Sequence, residues 1–564
     1  MNILSVFRPK LIDCMREGYS RKLFLGDLSA GITVGIVALP LAMAFAIASG
    51  ATPQAGLVTA IIAGFIISLL GGSKVQIGGP TGAFVIIVAG IIAQYGYGSL
   101  LICTFMAGIM LVLMGLARFG SVIKYIPYPV TIGFTNGIAL LIMLTQVRDA
   151  LGLDIDKVPA DFFQKITSYA THLGSINPAA TAITVASLGL LILWPRLKIK
   201  IPASIVVVLL STLAVTLFHI PVETIGSRFG ELPRSIPMPT FPAFSFETFK
   251  GLITPAMTIA MLGAIESLLS AVVADGMIEE RHNSNTELIG QGIANIFSPL
   301  FGGLPATGAL ARTATNVRSG AKTPLAGMIH AITLLVILLV AAPWAKYIPL
   351  AGLAAILLNV GFRMGEWHDF KMLRRYPLSD SLVLLATFLL TVIIDLTVAI
   401  QVGMMLAAVL FIRRVSETTN VDIVSQETEC EGAEHSITGK DVPQGVHLYR
   451  VFGPMFFGAA DKLETVFTRS NQMPEVLILR LRKVPSIDAT ALNALISLKE
   501  KLAFRGCKMI LSGVQPQPLA TLKRSGAINK FAADEVCENI DMALAHARAY
   551  LEEKKQAAEH AHQA

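Results

Sequence analysis

An α-helical polytopic membrane protein followed by a soluble α/β domain is the fold class this sequence predicts, and three observations carry the prediction. The 564 residues are 54% hydrophobic and only 15% charged, with mean hydropathy +0.65, whereas soluble domains carry about 25% charged residues. Apolar stretches fill the chain as far as Arg414, after which polar and mixed sequence takes over. A short phrase also occurs twice between long apolar segments, as Pro80-Thr81-Gly82-Ala83 and Pro305-Ala306-Thr307-Gly308-Ala309. Likewise Lys124-Tyr125-Ile126-Pro127 returns as Lys346-Tyr347-Ile348-Pro349. The two pairs lie 225 and 222 residues apart, the mark of an internal repeat. Transporters set the Gly/Pro-interrupted half-helices of matching repeats face to face near the bilayer midplane.

Apolar stretches fall at residues 28–48, 55–70, 81–94, 100–117, 128–146, 181–195, 203–218, 251–273, 287–300, 306–316, 323–342, 348–360, 379–395 and 397–412. The first is longer than a signal-peptide core, lacks a small-residue cleavage site and is followed at once by further spans, so it is expected to stay attached. A continuous crossing of about 30 Å of hydrocarbon needs about 20 residues, and the stretches flanking the repeated phrase are shorter. Irregular backbone survives at membrane depth only where protein or a wet cavity surrounds it, so these interruptions predict a lined site.

With the amino terminus in the cytoplasm, Arg118 and Lys124, then Arg196, Lys198 and Lys200, then Arg318 and Lys322 all fall on the cytoplasmic side, as do Arg363 to Arg375 and Arg413-Arg414. This is the positive-inside pattern. The acidic connection of Asp149, Asp154, Asp156 and Asp161, and the stretch from His219 to Lys250, fall outside. About fourteen crossings return the chain to the cytoplasm. Seven per half is an odd number, so the second repeat must be inverted relative to the first: a 7+7 inverted repeat.

Residues 1–26 are then a cytoplasmic amino-terminal segment, 27–415 the membrane domain, 416–439 a polar linker, 440–555 the α/β domain and 556–564 a tail, with Glu552 to Ala564 expected to fray. In the α/β domain, Val446 to Val451, Val476 to Leu479 and Lys508 to Ser512 read as strands, and Ala491 to Leu502 as an amphipathic helix.

Several function classes drop out. The formal charge of +7 sits mostly in short connections between apolar segments, where it orients a membrane protein and does not build a nucleic-acid surface. Cys14, Cys103, Cys430, Cys507 and Cys537 are scattered singly, so neither a metal site nor a disulfide framework is indicated. No phosphate-binding loop of P-loop form is present to drive a pump, and His330, alone in an apolar span, reads as a core residue. No enzyme activity and no cofactor are expected.

The chemistry concentrates at the repeated phrase. A half-helix beginning at Thr81 and another beginning at Thr307 or Gly308 would aim unpaired N–H groups and about half a positive charge each at one central point, an anion site. Gly82 and Gly308, lacking Cβ, let a solute approach the backbone. The competing reading is that Thr81 and Thr307 cap their own helices. Stripping an anion of water costs on the order of tens of kcal/mol by Born estimates, so two helix ends nearly balance a monoanion but not a dianion. Arg312, four residues after Gly308, is the additional cation; its alternative role is a structural pair. Glu266, inside Met261 to Leu269, must be protonated, paired or bound to a cation at membrane depth. Coupling to H+ or Na+ follows, with Ser270 one turn on as an oxygen ligand were the cation sodium. A permanent Glu266–Arg312 pair is the alternative.

The run Pro40-Leu41-Ala42-Met43-Ala44-Phe45-Ala46, continuing through Gly50 and Pro53 to Gly56-Leu57, closely resembles the signature of the SulP/SLC26 anion transporters. So do Gly78-Gly79-Pro80-Thr81-Gly82, Gly302 to Arg312, and Gly320-Ala321-Lys322-Thr323. The resemblance covers essentially the whole chain. It implies UraA/SLC26-like core and gate domains, a homodimer, a cytoplasmic STAS domain at the carboxyl end, and soluble partners for that domain. By motif, Phe45 would line the site from the first helix, Thr81, Gly82, Thr307 and Gly308 to Ala311 (with Ala309) would surround the anion, Arg312 would be the site arginine, and Glu266 with Ser270 would match the cation-coupling positions. Animal members carry an aromatic residue where Thr81 stands and a serine where Ala311 stands. Ile487-Asp488-Ala489-Thr490-Ala491 is similar to the STAS loop in which Asp is followed by a phosphorylatable hydroxyl, here Thr490; the alternative is a helix start capped by Asp488. Ala260 to Leu269 and Leu113 to Gly120 look most like the aerobic C4-dicarboxylate transporter of enteric bacteria.

The expected protein is thus a secondary active symporter of the bacterial inner membrane, both termini cytoplasmic, moving succinate, fumarate or aspartate with H+ or Na+. A sulfate or bicarbonate carrier is the alternative within transport, and a membrane-tethered signalling protein the alternative of another class.

Overall fold

The computed structural model describes residues 7–121, 127–155, 158–159, 161–197, 202–241, 246–394, 396–418, 420–423, 440–456 and 474–563. Lys124, Tyr125, Ile126, Asp156, Lys198, Lys200 and Cys430 lie outside the described residues, as does most of the 416–439 linker. The chain divides into two units, Met1–Met405 and Leu406–Ala564.

The first unit opens with α1 (Lys10–Glu17), α2 (Arg21–Ala48) and α3 (Pro53–Leu70), then β1 (Gly78–Gly79) and α4 (Gly82–Leu116). It continues with α5 (Tyr128–Thr145), α6 (Val147–Leu151), α7 (Phe162–Thr171), α8 (Pro178–Leu193), α9 (Ala203–Phe218) and α10 (Ile225–Phe229). The second half holds α11 (Phe246–Ile278), α12 (Ser284–Phe297), β2 (Thr307–Gly308), α13 (Leu310–Arg318), α14 (Leu325–Ala345), α15 (Leu350–Met364), α16 (Trp367–Met372), α17 (Leu378–Ile393) and α18 (Leu396–Thr418). Among the described residues seven helical stretches are long and apolar enough to cross a bilayer, and α8, α9, α15 and α17 are shorter apolar helices. Gly96, at φ 82 and ψ 168, breaks α4 into two runs; only glycine adopts that conformation at little cost. Counting those runs separately and adding α12 and α13 gives fourteen segments, seven in each half.

The packing repeats between the halves with the partners exchanged. α2 lies on α14 as α11 lies on α4, α3 lies on α14 as α12 lies on α4, and α5 lies on α17 as α15 lies on α8. Pairs that the symmetry maps onto themselves also meet: α3 with α12, α5 with α15, and β1 with β2, the last antiparallel. An antiparallel pair of equivalent strands is what an inverted repeat requires.

Small residues let these helices meet backbone to backbone, as lipid-immersed packing demands. A Cβ on Gly108 would stand 2.7 Å from the Gly292 carbonyl, and one on Gly292 2.6 Å from the Gly108 carbonyl.

Helix bounds differ from the apolar pattern where a charge is satisfied inside the protein. α2 starts at Arg21, not 28, because the fully buried Asp27 accepts from Lys322 N (2.8 Å), Thr323 N (3.1 Å), Thr323 Oγ1 (2.6 Å) and Tyr19 OH (3.0 Å). The second half-helix, expected over 306–316, is the nine-residue α13 starting at Leu310; Thr307 and Gly308 are strand.

The second unit is a five-stranded sheet in the order β3 (Asn420–Ile423), β4 (Val446–Phe452), β5 (Val476–Lys483), β6 (Lys508–Ser512), β7 (Val536–Cys537). β3 pairs antiparallel to β4 and the other neighbours are parallel. Strand alternation sends Leu477, Leu479 and Leu481 against Leu492, Leu495 and Leu498 of α19 (Ala489–Phe504) and Leu522 of α20 (Pro516–Arg524). Val476 and Ile478 face Ile540, Ala543 and Leu544 of α21 (Ile540–Gln563). α21 continues through Glu552, the start of the stretch expected to fray, to Gln563. Part of the expected linker is likewise ordered, since α18 runs to Thr418 and β3 joins the sheet.

The Gly108–Gly292 approach leaves no room for a side chain, so Gly292→Leu should lower the thermal midpoint of the detergent-solubilised protein by several degrees or abolish its monodisperse elution. Gly189→Leu, where a Cβ meets nothing within 4 Å, should leave both unchanged.

Candidate functional site

β1 and β2 form one short antiparallel ladder, Gly78 opposite Gly308 and Gly79 opposite Thr307. Each strand runs into a helix, β1 through Pro80 and Thr81 into α4 and β2 through Ala309 into α13, so the ladder holds two helix starts in one place.

Protein side chains and backbone groups hydrogen-bond this extended backbone. On the second half, Leu304 N donates to Thr59 Oγ1 (2.6 Å). Ala306 N donates to Asn295 Oδ1 and Asn295 Nδ2 to the Ala306 carbonyl, both 2.8 Å, so that one amide side chain acts as a strand neighbour. On the first half, Gly72 N (2.8 Å) and Ser73 N (3.1 Å) donate to the buried Glu287 carboxylate. The face of α13 completes the set. Asn316 Nδ2 donates to Val75 O (2.9 Å), Thr313 Oγ1 accepts from Ile77 N (3.0 Å), Arg312 Nη2 donates to the Pro80 carbonyl, and Ala309 N donates to Ile77 O (2.8 Å). Buried backbone polar groups must be paired in an apolar surround, and these side chains pair them.

The two helix starts lack side-chain caps, as do those of α5, α9, α14, α15 and α17. α2, α3, α8 and α12 are capped by Ser20, Thr52, Asn177 and Asn283. α4 begins behind Thr81, a good capping residue, yet Thr81 makes no capping bond. Its hydroxyl is buried without a hydrogen-bond partner among the described residues. Ala309, at the start of α13, has no side chain to cap with. Two uncapped amino-terminal turns therefore direct N–H groups and partial positive charge at the space beside the ladder.

Of the residues read from the sequence, Phe45, Thr81, Gly82, Ala309, Ala311 and Arg312 come together here. A Cβ on Gly82 would stand 2.8 Å from Ile142 Cδ1, 3.3 Å from Phe45 Cε1 and 3.5 Å from Met364 Sδ. Phe45 therefore walls the α4 start. Ala311 is exposed and Arg312 is 2% exposed, so α13 presents an open first turn above a buried guanidinium whose Nη1 has no partner among the described residues.

Thr307 and Gly308 do not begin a helix, which corrects the sequence reading. Thr307 is buried with its hydroxyl donated to Gly263 O (2.9 Å). A Cβ on Gly308 would stand 1.6 Å from Gln76 Nε2. Both build the ladder.

Glu266 lies on α11, partly exposed, and no ion pair joins it to Arg312 among the described residues. The alternative of a permanent pair has no counterpart here. Ser270 is buried and donates to Thr313 Oγ1 at 3.4 Å, so its oxygen is engaged with α13. Thr490 belongs to the second unit, exposed in the first turn of α19, which Asp488 caps through Ala491 N at 2.8 Å.

Gln76, Asn295, Thr313, Asn316 and Glu287 escaped the sequence reading. The available signal was the polar set Arg312, Thr313, Asn316 on one helix face.

Residues 24–387 match the model of the Sulfate permease family, and residues 440–545 that of the STAS domain. The chain is 44% identical over 93% of its length, and 98% of the relative's, to "Putative sulfate transporter YvdB" of Bacillus subtilis (strain 168). It is 32% identical over 93% of its length to the Bicarbonate transporter BicA of Picosynechococcus sp., covering 94% of that protein. Its fold matches the murine solute carrier 26 family member A9 anion transporter, solved in the inward-facing state, with TM-score 0.87 over 97% of this chain and 95% of that one at 18% identity.

The two threonines predict opposite outcomes. Thr81→Val removes no protein hydrogen bond and should keep the thermal midpoint of the ligand-free protein within a degree or two. Thr307→Val removes the hydrogen bond to the Gly263 carbonyl, which keeps its own helix bond, and should cost about 0.5–1.5 kcal/mol, read as a drop in the same melt.

Proposed function

Because the chain belongs to the Sulfate permease family and ends in a STAS domain, we propose that it is a secondary active transporter that moves a small oxyanion, sulfate first and bicarbonate as the alternative, together with H+ or Na+. The carrying observation is the pair of uncapped helix starts held together by the β1–β2 ladder, with the unpartnered Thr81 hydroxyl between them and the buried Arg312 guanidinium beneath.

Charge supports the choice of anion. Two helix starts and one guanidinium supply about two positive charges together, which matches a tetrahedral dianion whose oxygens accept from the exposed N–H groups of α4 and α13. Relatives named for sulfate and bicarbonate transport favour these substrates over the C4-dicarboxylates expected from the shorter motif resemblance.

Glu266 is the coupling group in this reading. With no ion pair to it among the described residues, its ionised form is costly near the membrane interior, so in this reading it takes up a proton or holds Na+ when the oxyanion binds. The loaded site is then nearly neutral and crosses the barrier between the two access states; the site carrying an unpaired charge does not. The moving part is the ladder-bearing helices passing the rest of the bundle in the dimer, in the inner membrane, with both termini and the STAS domain in the cytoplasm. Regulation through Thr490 and soluble partners of the STAS domain belong to the same reading. A signalling role without transport has no observation in its favour.

Proteoliposomes loaded with an inward proton or sodium gradient should accumulate labelled sulfate, and a competition panel of bicarbonate, succinate and fumarate ranks the substrates. Glu266→Gln should cut gradient-driven accumulation by about tenfold or more, equivalent to about 1.4 kcal/mol, while sulfate–sulfate exchange continues. Undiminished accumulation by that variant would remove Glu266 from the coupling step.

A further inference from the structure

The membrane unit contains a cavity of about 730 Å³ that the central site does not account for. Its walls come from the first run of α4, α5, α7, α11, α17 and α18, through residues such as Gln94, Thr145, Lys165, Thr254, Thr391 and Gln401. Five crossings precede α7, so the cavity opens on the face opposite the amino terminus. Its inner end is close to the helix starts: Ile86 lines it one turn above Gly82, about 6 Å along the helix, and Leu141 lines it beside the Ile142 that packs on Gly82.

One charged side chain in the wall is buried. Lys165 is 6% exposed, and neither an ion pair nor a hydrogen bond engages its ammonium among the described residues. The carboxylate nearest in sequence, Asp161, sits at the exposed start of α7 and caps it, accepting from Gln164 N at 2.9 Å. Asp161 and Tyr95 are the other titratable side chains in the wall among the described residues. Burial pulls the Lys165 amine below the ordinary lysine range, and Asp161 opposes that pull. A lysine this buried is almost always paired; here Asp161, on the same cavity wall, acts on it without forming an ion pair, and an anion held in the cavity would complete its neutralisation. Gln94 and Gln401 add exposed amide donors to the same wall.

We propose that this cavity is an anion-collecting vestibule, in which the Lys165 ammonium holds the incoming oxyanion before it passes to the starts of α4 and α13. The inference rests on the transport reading for its substrate and extends it to a second binding position. A cation recessed in a low-dielectric cleft concentrates anions by about tenfold or more, and Asp161 at the rim sets the opposing field.

Three measurements on the full-length protein test this. In sulfate uptake, Lys165→Gln should raise KM about tenfold and flatten the dependence of KM on ionic strength, Lys165→Arg should restore both, and Asp161→Asn, which still caps α7, should lower KM. Gel filtration of each variant monitors folding, and the Arg variant separates charge from packing. Independently of transport, sulfate should slow modification of Lys165 by a membrane-impermeant amine reagent in the wild-type protein, read by mass spectrometry. Unchanged KM and salt dependence in Lys165→Gln, or labelling indifferent to sulfate, overturns the vestibule. Protection without any uptake would instead leave this binding site standing and overturn the transport reading.

Discussion

The antiparallel ladder between Gly78-Gly79 and Thr307-Gly308 is the constraint on which the rest of the membrane unit depends. Hydrocarbon offers no water to satisfy stray amides, so a chain that interrupts two helices at membrane depth has to pair the backbone between them from within. The ladder does this for two residues on each side, and Asn295, Thr59, Thr313, Asn316 and Glu287 do it for the flanking ones. The first turns of α4 and α13 have no side-chain cap, and the Thr81 hydroxyl and Arg312 Nη1 beside them have no partner among the described residues.

Arg312 links that backbone to the charge balance. Its Nη2 closes on the Pro80 carbonyl, immediately before α4, while its own helix is α13, so one side chain ties the two half-helices and adds a positive charge beneath them. A buried guanidinium with no carboxylate partner is expensive by itself. In the transport reading proposed above, an anion in the site would lower that cost, and Glu266, on a different helix and with no ion pair to Arg312 among the described residues, would adjust the net charge by one proton or one sodium ion.

The exchange of packing partners between halves places this arrangement on a local two-fold axis. α2 with α14 and α11 with α4 are equivalent interfaces, and β1–β2 and α3–α12 lie on the axis itself. Inverted repeats of this kind are the architecture in which one half can rock against the other. The Gly108–Gly292 crossing shows how near the backbones come to achieve it.

Composition and the repeated phrase with Pro80 and Pro305 made the class and the seven-helix halves readable from residues alone, because apolar run length and helix-breaking chemistry are local properties. Strand and helix periods likewise located the terminal α/β domain. The register of the repeat was not readable: the matching letters Thr81-Gly82 and Thr307-Gly308 occupy different roles, one a helix start and the other a strand, with α13 beginning at Leu310. Nor was the pairing of Glu287 with Gly72, of Asn295 with Ala306, or the burial of Lys165. Each depends on segments far apart in the chain meeting in three dimensions, and the energy of a polar group in lipid is set by the partner it meets, which no local pattern records.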